Sequence, residues 1–263
     1  MSDPPLDALA ASFGRVADDY DRGRPSYPPE ALDWLVAELR VGASSTVVDL
    51  AAGTGKLTAG LVSRAGHVIA VEPVAEMRRV LEARTPAAEV RVGTAEAIPL
   101  PADAADAVLV GAAFHWFSAD AALAEIHRVL RTGGGLGLLW NRPEWEGEPW
   151  YPAFADVLER ARAAQDDPPN RYSVGEWRAA LERSLLFGPA RKREFRHVQR
   201  ATRAEFLARV ASWSVVAVMP EDARTTILEE LDGDLAARRI AALDLRYRTD
   251  TYRALARPAT GSG

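Results

Sequence analysis

The chain has 263 residues and no cysteine, which excludes disulfides, thiolate metal sites and cysteine nucleophiles. Histidine is scarce: His67, His115, His127 and His197 are dispersed, so no metal site is predicted. No apolar run is long enough to span a bilayer. The start, Met1-Ser2-Asp3-Pro4-Pro5, has neither the basic nor the apolar region of a signal peptide. The expectation is a cytoplasmic protein with no membrane partner. Positive charge is not in excess: 32 Lys and Arg against 37 Asp and Glu leave a net charge of −5, which argues against a nucleic-acid partner. The densest basic segment, Arg191-Lys192-Arg193 to Arg200, reads as a solvated strand edge. What is abundant is apolar surface, 48% of residues, enough for one large domain over residues 1–263.

Residues 1–40 open with an amphipathic piece, Leu6 to Tyr20, followed by Pro25, Pro28 and Pro29. These prolines forbid regular structure and make an ordered connector or lid. A helix then starts at Pro29 or Glu30, with Leu32, Leu35, Val36 and Leu39 on one face. From residue 41 to 142 strands and helices alternate. Strands are expected at Thr46–Leu50, His67–Val71, Glu89–Val92, Ala107–Gly111 and Leu136–Trp140, and helices at Leu57–Arg64, Val74–Thr85 and Ala119–Leu130. Such alternation means crossover units and a largely parallel sheet. Gly133-Gly134-Gly135 reads as a helix stop.

Residues 143–257 have a different texture. Helices fit Phe154–Ala164, Trp177–Leu185, Arg203–Val210 and Glu221–Ala237, with extended segments at Glu194–Gln199 and Leu243–Tyr252 and a turn cluster at Asp166–Asn170. Residues 258–263 read as a frayed tail.

The stretch Val47-Val48-Asp49-Leu50-Ala51-Ala52-Gly53-Thr54-Gly55-Lys56 is strand, glycine turn, helix, the device that brings a nucleotide-like ligand close to backbone N–H groups. Glu72 ends the next strand 17 residues after Gly55, where an acid can accept both hydroxyls of a ribose; the bland alternative is that Glu72 caps the following helix. A nicotinamide dinucleotide site wants a third glycine where Thr58 stands. A phosphate loop wants Ser or Thr directly after Lys56, where Leu57 stands. Both fit poorly.

Val48-Asp49-Leu50-Ala51-Ala52-Gly53-Thr54-Gly55 resembles motif I of the class I S-adenosylmethionine-dependent methyltransferases, with Ala51 in place of its first glycine. Val71-Glu72-Pro73 with Met77 looks like the ribose acid and adenine-packing segment, and Gly93-Thr94-Ala95-Glu96-Ala97-Ile98-Pro99 like the loop at the adenine edge. Thr94 stands where many relatives have Asp, and Glu96 is the alternative acceptor for the adenine amino group. Asp106-Ala107-Val108-Leu109 and Leu130-Arg131-Thr132-Gly133-Gly134 continue the pattern, and the Phe-His-Trp-Phe run points to the type 11 small-molecule group.

The resemblance implies a Rossmann-like α/β fold: a mostly parallel seven-stranded sheet, helices on both faces and an antiparallel C-terminal strand. It implies S-adenosylmethionine as cofactor, S-adenosylhomocysteine as product, and a small-molecule acceptor methylated at a carboxylate or hydroxyl oxygen by a monomer or homodimer. The donor would lie on Asp49, Ala51, Gly53, Thr54, Gly55, Glu72, Pro73, Met77, Ala95, Glu96 and Ala113, with Tyr20 and Arg24 closing over its carboxylate.

Ala113-Phe114-His115-Trp116-Phe117 leaves the C-terminal end of the fourth strand, the edge where open α/β sheets bind ligands. Its aromatics can wall a sulfonium as they would an ammonium, and His115 and Trp116 are the candidate catalytic residues. His115 could serve as base for an alcohol or phenol; a carboxylate acceptor needs only positioning. Phe114 and Phe117 could equally be a hydrophobic plug. Trp145, Trp150, Tyr151, Tyr172 and Trp177 suit either an acceptor-binding insertion or a satellite core. The rival readings are a nicotinamide-dependent oxidoreductase and a cofactor-binding protein of the same fold without turnover.

Overall fold

Strand β1, Thr46–Leu50, is central because its alternate side chains serve two cores. Val48 and Leu50 enter one apolar cluster with Val108, Val110 and Leu138. Val47 enters another with Leu109, Leu139 and Leu35. A strand buried on both faces reads as a continuous apolar run, as parallel sheets require. The computed structural model describes residues 17–164 and 174–258. Residues 1–16, 165–173 and 259–263, with most of the expected Leu6–Tyr20 helix, the Asp166–Asn170 turn, Tyr172 and the tail, lie outside the described residues.

The chain begins with α1 (Ala17–Gly23) and α2 (Pro29–Glu38), and the first crossover is β1, α3 (Lys56–Leu61) and β2 (His67–Val71). Then follow α4 (Ala75–Arg84), β3 (Glu89–Arg91), β4 (Ala105–Gly111), a 3-10 turn (Phe114–Trp116), α5 (Ala119–Val129) and β5 (Leu130–Pro143). The remainder is α6 (Tyr151–Ala163), α7 (Val174–Arg183), β6 (Arg191–Thr202), α8 (Arg203–Ala211), α9 (Ser214–Ala217), α10 (Glu221–Ala237) and β7 (Ala242–Leu255).

The strands form one seven-stranded sheet, ordered β3-β2-β1-β4-β5-β7-β6. The pairs β1/β2, β1/β4, β2/β3 and β4/β5 are parallel. Ala256 N donates to Gly134 O and Glu144 N to Arg246 O, the opposed progression of an antiparallel β5/β7 pair. The basic strand β6 is an edge, and three of its cations are ion-paired: Arg191 with Glu38, Lys192 with Glu194 and Asp250, Arg200 with Asp244.

The glycine triplet corrects the sequence reading. Helix α5 ends at Val129 and Leu130 is already extended, with ψ 134°. Gly133–Gly135 lie inside β5, where a Cβ on Gly134 would sit 2.7 Å from Asp106 O and one on Gly135 2.8 Å from Ala254 O. Gly134 and Gly135 admit neighbouring backbone rather than stop a helix, and Gly133 takes a left-handed φ of 86° in the strand. The four-residue helix α9 is a further difference, since it is too short to show periodicity.

The described residues divide between two compact units. The first holds 26–142, 174–196 and 248–258, and thus most of the sheet. The second holds 17–25, 143–164 and 197–247. Its core is aromatic: Trp145 lies 5.3–5.9 Å, ring centre to ring centre, from Trp150, Phe154, Phe206 and Tyr247. Helix α8 is opened by a capping box, in which Thr202 accepts from Glu205 N while the Glu205 side chain accepts from Thr202 N. Helix α1 packs on α8 so closely that a Cβ on Gly23 would stand 2.1 Å from Arg209 N.

Candidate active site

Past Leu50 the backbone turns through left-handed conformations, with φ 56° at Ala51, 58° at Gly53 and 81° at Gly55. Glycine adopts these without penalty, whereas Ala51 carries a strain of order 1 kcal/mol. The turn is held internally: Ala52 N donates to Val71 O at 3.1 Å, Gly55 N to Ala52 O at 3.0 Å and Gly53 N to the Glu72 carboxylate at 2.8 Å. The other Glu72 oxygen accepts from Val74 N at 2.9 Å, at the N-cap of α4. Glu72 therefore holds the entry to α4 and also ties the β1 turn to the end of β2.

Beneath the turn, Asp49 is buried; its Oδ2 accepts from Thr58 Oγ1 at 2.6 Å. Among the described residues, Asp49 Oδ1 and Thr54 Oγ1 are buried polar atoms that no hydrogen bond satisfies. Burial raises the Asp49 pKa from 3.8 to about 7, against the Thr58 hydrogen bonds and helped by the neighbouring negative Glu72. Burial likewise raises Glu72, opposed by the Val74 and Gly53 N–H groups and by Arg78. Two buried carboxylates thus share a small volume beside a left-handed turn. Such a pair favours a cation or a set of hydroxyl donors next to it.

Met77 on α4 and Ala95 after β3 are buried, and Pro73 is exposed. Glu96 is half-buried and one oxygen accepts from Ser118 N at 2.9 Å, tying the loop after β3 to the end of the aromatic run.

That run starts where β4 ends. The register pairs Gly111 with Leu139, and Ala112 N donates to Leu139 O at 2.8 Å, so Trp140 lies beside the loop. Ala113 O accepts from Trp116 N and closes the 3-10 turn. Phe114 is fully buried, 5.3 Å from Phe117 and 6.3 Å from Trp177 between ring centres, and is therefore a plug. The His115 and Trp116 rings lie 4.7 Å apart. The Trp140 indole N–H donates to His115 Nδ1 at 3.3 Å. Trp140 itself is buried, stacked on Trp177 at 4.6 Å and edge-on to Tyr252 at 6.0 Å.

A cleft of about 480 Å³ adjoins the loop, lined among others by His115, Phe117, Asp120, Glu176, Trp177 and Arg183. The sequence reading assigned no site position to Trp140, which contacts His115, or to Arg183, which lines the cleft. The Phe-His-Trp-Phe run drew attention away from the strand that supports it, and Arg183 follows no motif.

The remaining expected residues have the following surroundings. Tyr20 and Arg24 belong to the second unit, where the Arg24 guanidinium lies 4.7 Å over the Tyr20 ring and donates to Ser212 Oγ and O at 3.2 and 2.8 Å. Trp145 and Trp150 are buried in that unit's core, the satellite-core alternative, and Tyr151 packs against it. His67 pairs with Glu89 at 2.9 Å and His127 with Arg257 O at 2.9 Å. Among the described residues no cluster could hold a metal ion, and no helix is long and apolar enough to cross a membrane.

The strand order, with a glycine turn after β1 and an acid after β2, defines a Rossmann-like methyltransferase fold. Comparison with known proteins narrows the class. A family model described as a methyltransferase domain matches residues 48–138. A methyltransferase-like protein of Schizosaccharomyces pombe is 35% identical over 223 residues, 84% of each chain. An uncharacterised methyltransferase of Mycobacterium tuberculosis is 48% identical over 153 residues, 58% of this chain and 60% of its own length. The chain thus spans about three fifths of the first curated relatives it matches. The solved structure of a candidate type II methyltransferase from Anaeromyxobacter dehalogenans superposes with a TM-score of 0.63 at 27% identity, covering 89% of this chain and 97% of that one. The chain belongs to the class I S-adenosylmethionine-dependent methyltransferases, in their type 11 group.

Proposed function

We propose that this chain methylates a small-molecule acceptor at oxygen, with S-adenosylmethionine as donor. The observation that carries the reading is the pair of buried carboxylates, Asp49 and Glu72, beside the left-handed turn Ala51–Gly55. When bound, the donor supplies a methyl group on a sulfonium, whose displacement requires no metal. Glu72 would hold the ribose hydroxyls, since each carboxylate oxygen has lone-pair capacity beyond its one backbone bond. Asp49 and Thr54 would meet the polar methionyl end, which gives their unsatisfied oxygens partners. Met77 and Ala95 would pack the adenine, and Glu96 would meet its amino group.

On the acceptor side, His115, Trp116 and the adjoining cleft would orient the nucleophile in line with the leaving sulfur. The rate would come from positioning and exclusion of water. The test is calorimetry with S-adenosylhomocysteine and with NAD(P), followed by labelled-methyl transfer to acceptor pools. Binding of S-adenosylhomocysteine with a methylated product supports the proposal. Binding of NAD(P) alone would replace it with an oxidoreductase, and donor binding without transfer to any acceptor would leave a cofactor-binding protein.

A further inference from the structure

The contact between Trp140 and His115 carries more than packing. An indole nitrogen is a donor only. Because Trp140 Nε1 donates to His115 Nδ1 at 3.3 Å, Nδ1 must present its lone pair, and the proton of the neutral ring resides on Nε2. The donor has little freedom to turn away: Trp140 is buried in a three-ring cluster, stacked on Trp177 and edge-on to Tyr252, and anchored in β5 beside the loop that carries His115. Protonating Nδ1 would set two N–H groups against each other and break that bond.

We propose that Trp140 is a positioning residue that fixes His115 as the Nε2–H tautomer, so that His115 donates a hydrogen bond instead of accepting a proton, and that the acceptor is accordingly a carboxylate. The second half rests on the methyltransferase reading; the tautomer does not. An alcohol or phenol must lose its proton as it is methylated, and an imidazole already protonated at Nε2 cannot take it there. A carboxylate has no proton to lose. His115 Nε2 is buried; an acceptor that enters far enough to meet it can accept from Nε2–H through one carboxylate oxygen while a lone pair on the other forms the new C–O bond. The C–S bond breaks with its electron pair on sulfur, a neutral ester and a neutral thioether result, and the Nε2 proton stays where it began. Among the described residues lining the cleft, Arg183 is the cation, beside Asp120 and Glu176, and it can complement an anionic acceptor.

Two measurements test the halves separately. In histidine-¹⁵N-labelled protein, long-range proton–nitrogen correlation reads the tautomer directly, and His115→Gln identifies the His115 signals among the four histidines. The expected result near pH 7 is an unprotonated Nδ1, with Trp140→Phe releasing the ring into a mixture of tautomers. A protonated Nδ1 in the unmutated protein overturns the proposal, whether or not the Phe variant folds.

The second measurement offers matched carboxylic acids, alcohols and phenols with methyl-labelled donor. The expected product is an alkali-labile methyl ester. His115→Gln, which keeps an amide N–H but has no basicity, should retain turnover within about tenfold and should not alter the pH dependence of turnover at saturating donor, whereas His115→Ala loses more. Ether products, or a Gln variant as impaired as the Ala variant, overturn the acceptor assignment while the tautomer stands. No labelled product from any acceptor, with the tautomer as expected, counts against the methyltransferase reading itself and takes the acceptor assignment with it.

Discussion

Replacing Asp49 by Asn should flatten the dependence of stability on pH. The Asp49 carboxyl is raised from 3.8 to about 7 in the fold, with burial as the main cause. Its folded pKa lies above its unfolded one, so between about pH 4 and pH 7 the native state binds more protons than the unfolded chain. The stability contributed by the protonated form is fully present below pH 4 and is lost as pH rises through 7. A shift of about three units corresponds to about 4 kcal/mol. The substituted carboxamide has no charge to bury, and its oxygen can still accept from Thr58 Oγ1, which now reaches Asp49 at 2.6 Å.

An absolute gain in stability is not the sharp expectation, because the new amide N–H groups must also be satisfied, at a cost of about 1–3 kcal/mol if they are not. The difference between the two pH profiles is. Urea unfolding at pH 4.5, 6 and 8, followed by far-UV circular dichroism, should show the unmutated protein losing about 2–4 kcal/mol more than Asp49→Asn on going from pH 4.5 to 8. Other carboxylates titrate in both proteins and cancel. Superimposable profiles would show that the Asp49 carboxylate is solvated, or otherwise neutralised, in the fold.

Donor binding should release protons below about pH 7, as a bound cation draws Asp49 into its ionised form; calorimetry in buffers of different ionisation enthalpy at pH 6 and 8 would show the release at 6 only. Glu72→Ala should weaken donor affinity tenfold or more, as for the loss of charged hydrogen bonds of about 1.5–3 kcal/mol; an unchanged dissociation constant removes Glu72 from the site. Arg183→Gln should raise KM for an anionic acceptor several-fold with kcat little changed, and an effect confined to kcat would contradict a binding role. Ala51→Gly should change stability by less than about 1 kcal/mol, because relief of the left-handed strain is offset by a more flexible unfolded chain; a loss above 2 kcal/mol would mean that the Ala51 methyl packs in a way the strain argument omits.

The parallel half of the sheet was legible because its signal is local. Runs such as Val47–Leu50 and Val68–Val71 announce buried strands, and Glu72 lies at a fixed offset from Gly53 and Gly55. Helix α10 was foreseen over its full length, Glu221–Ala237, and Leu243, Leu245 and Tyr247 alternate inward as expected. What could not be read depends on register. Trp140 reaches His115 only because Gly111 pairs with Leu139 across 28 residues, and nothing local to either aromatic announces it. The two roles open to Trp145 and Trp150 divide on burial, a property of the assembled core. Gly134 and Gly135 could not be read correctly because a glycine admitting a neighbouring strand and a glycine ending a helix look alike in one dimension.

The partition of the chain has an evolutionary consequence. The backbone passes from one unit to the other five times: after Pro25, after Arg142, within 165–173, after Arg196 and after Tyr247. Three of those passages fall inside strands, β5, β6 and β7. Neither unit can therefore be moved between relatives as one cassette, since a graft would need five matched seams, three of them in strands of the sheet. New acceptor preferences in this lineage should arise by single substitutions and loop-length changes, and engineering that respects this will proceed residue by residue rather than by domain exchange.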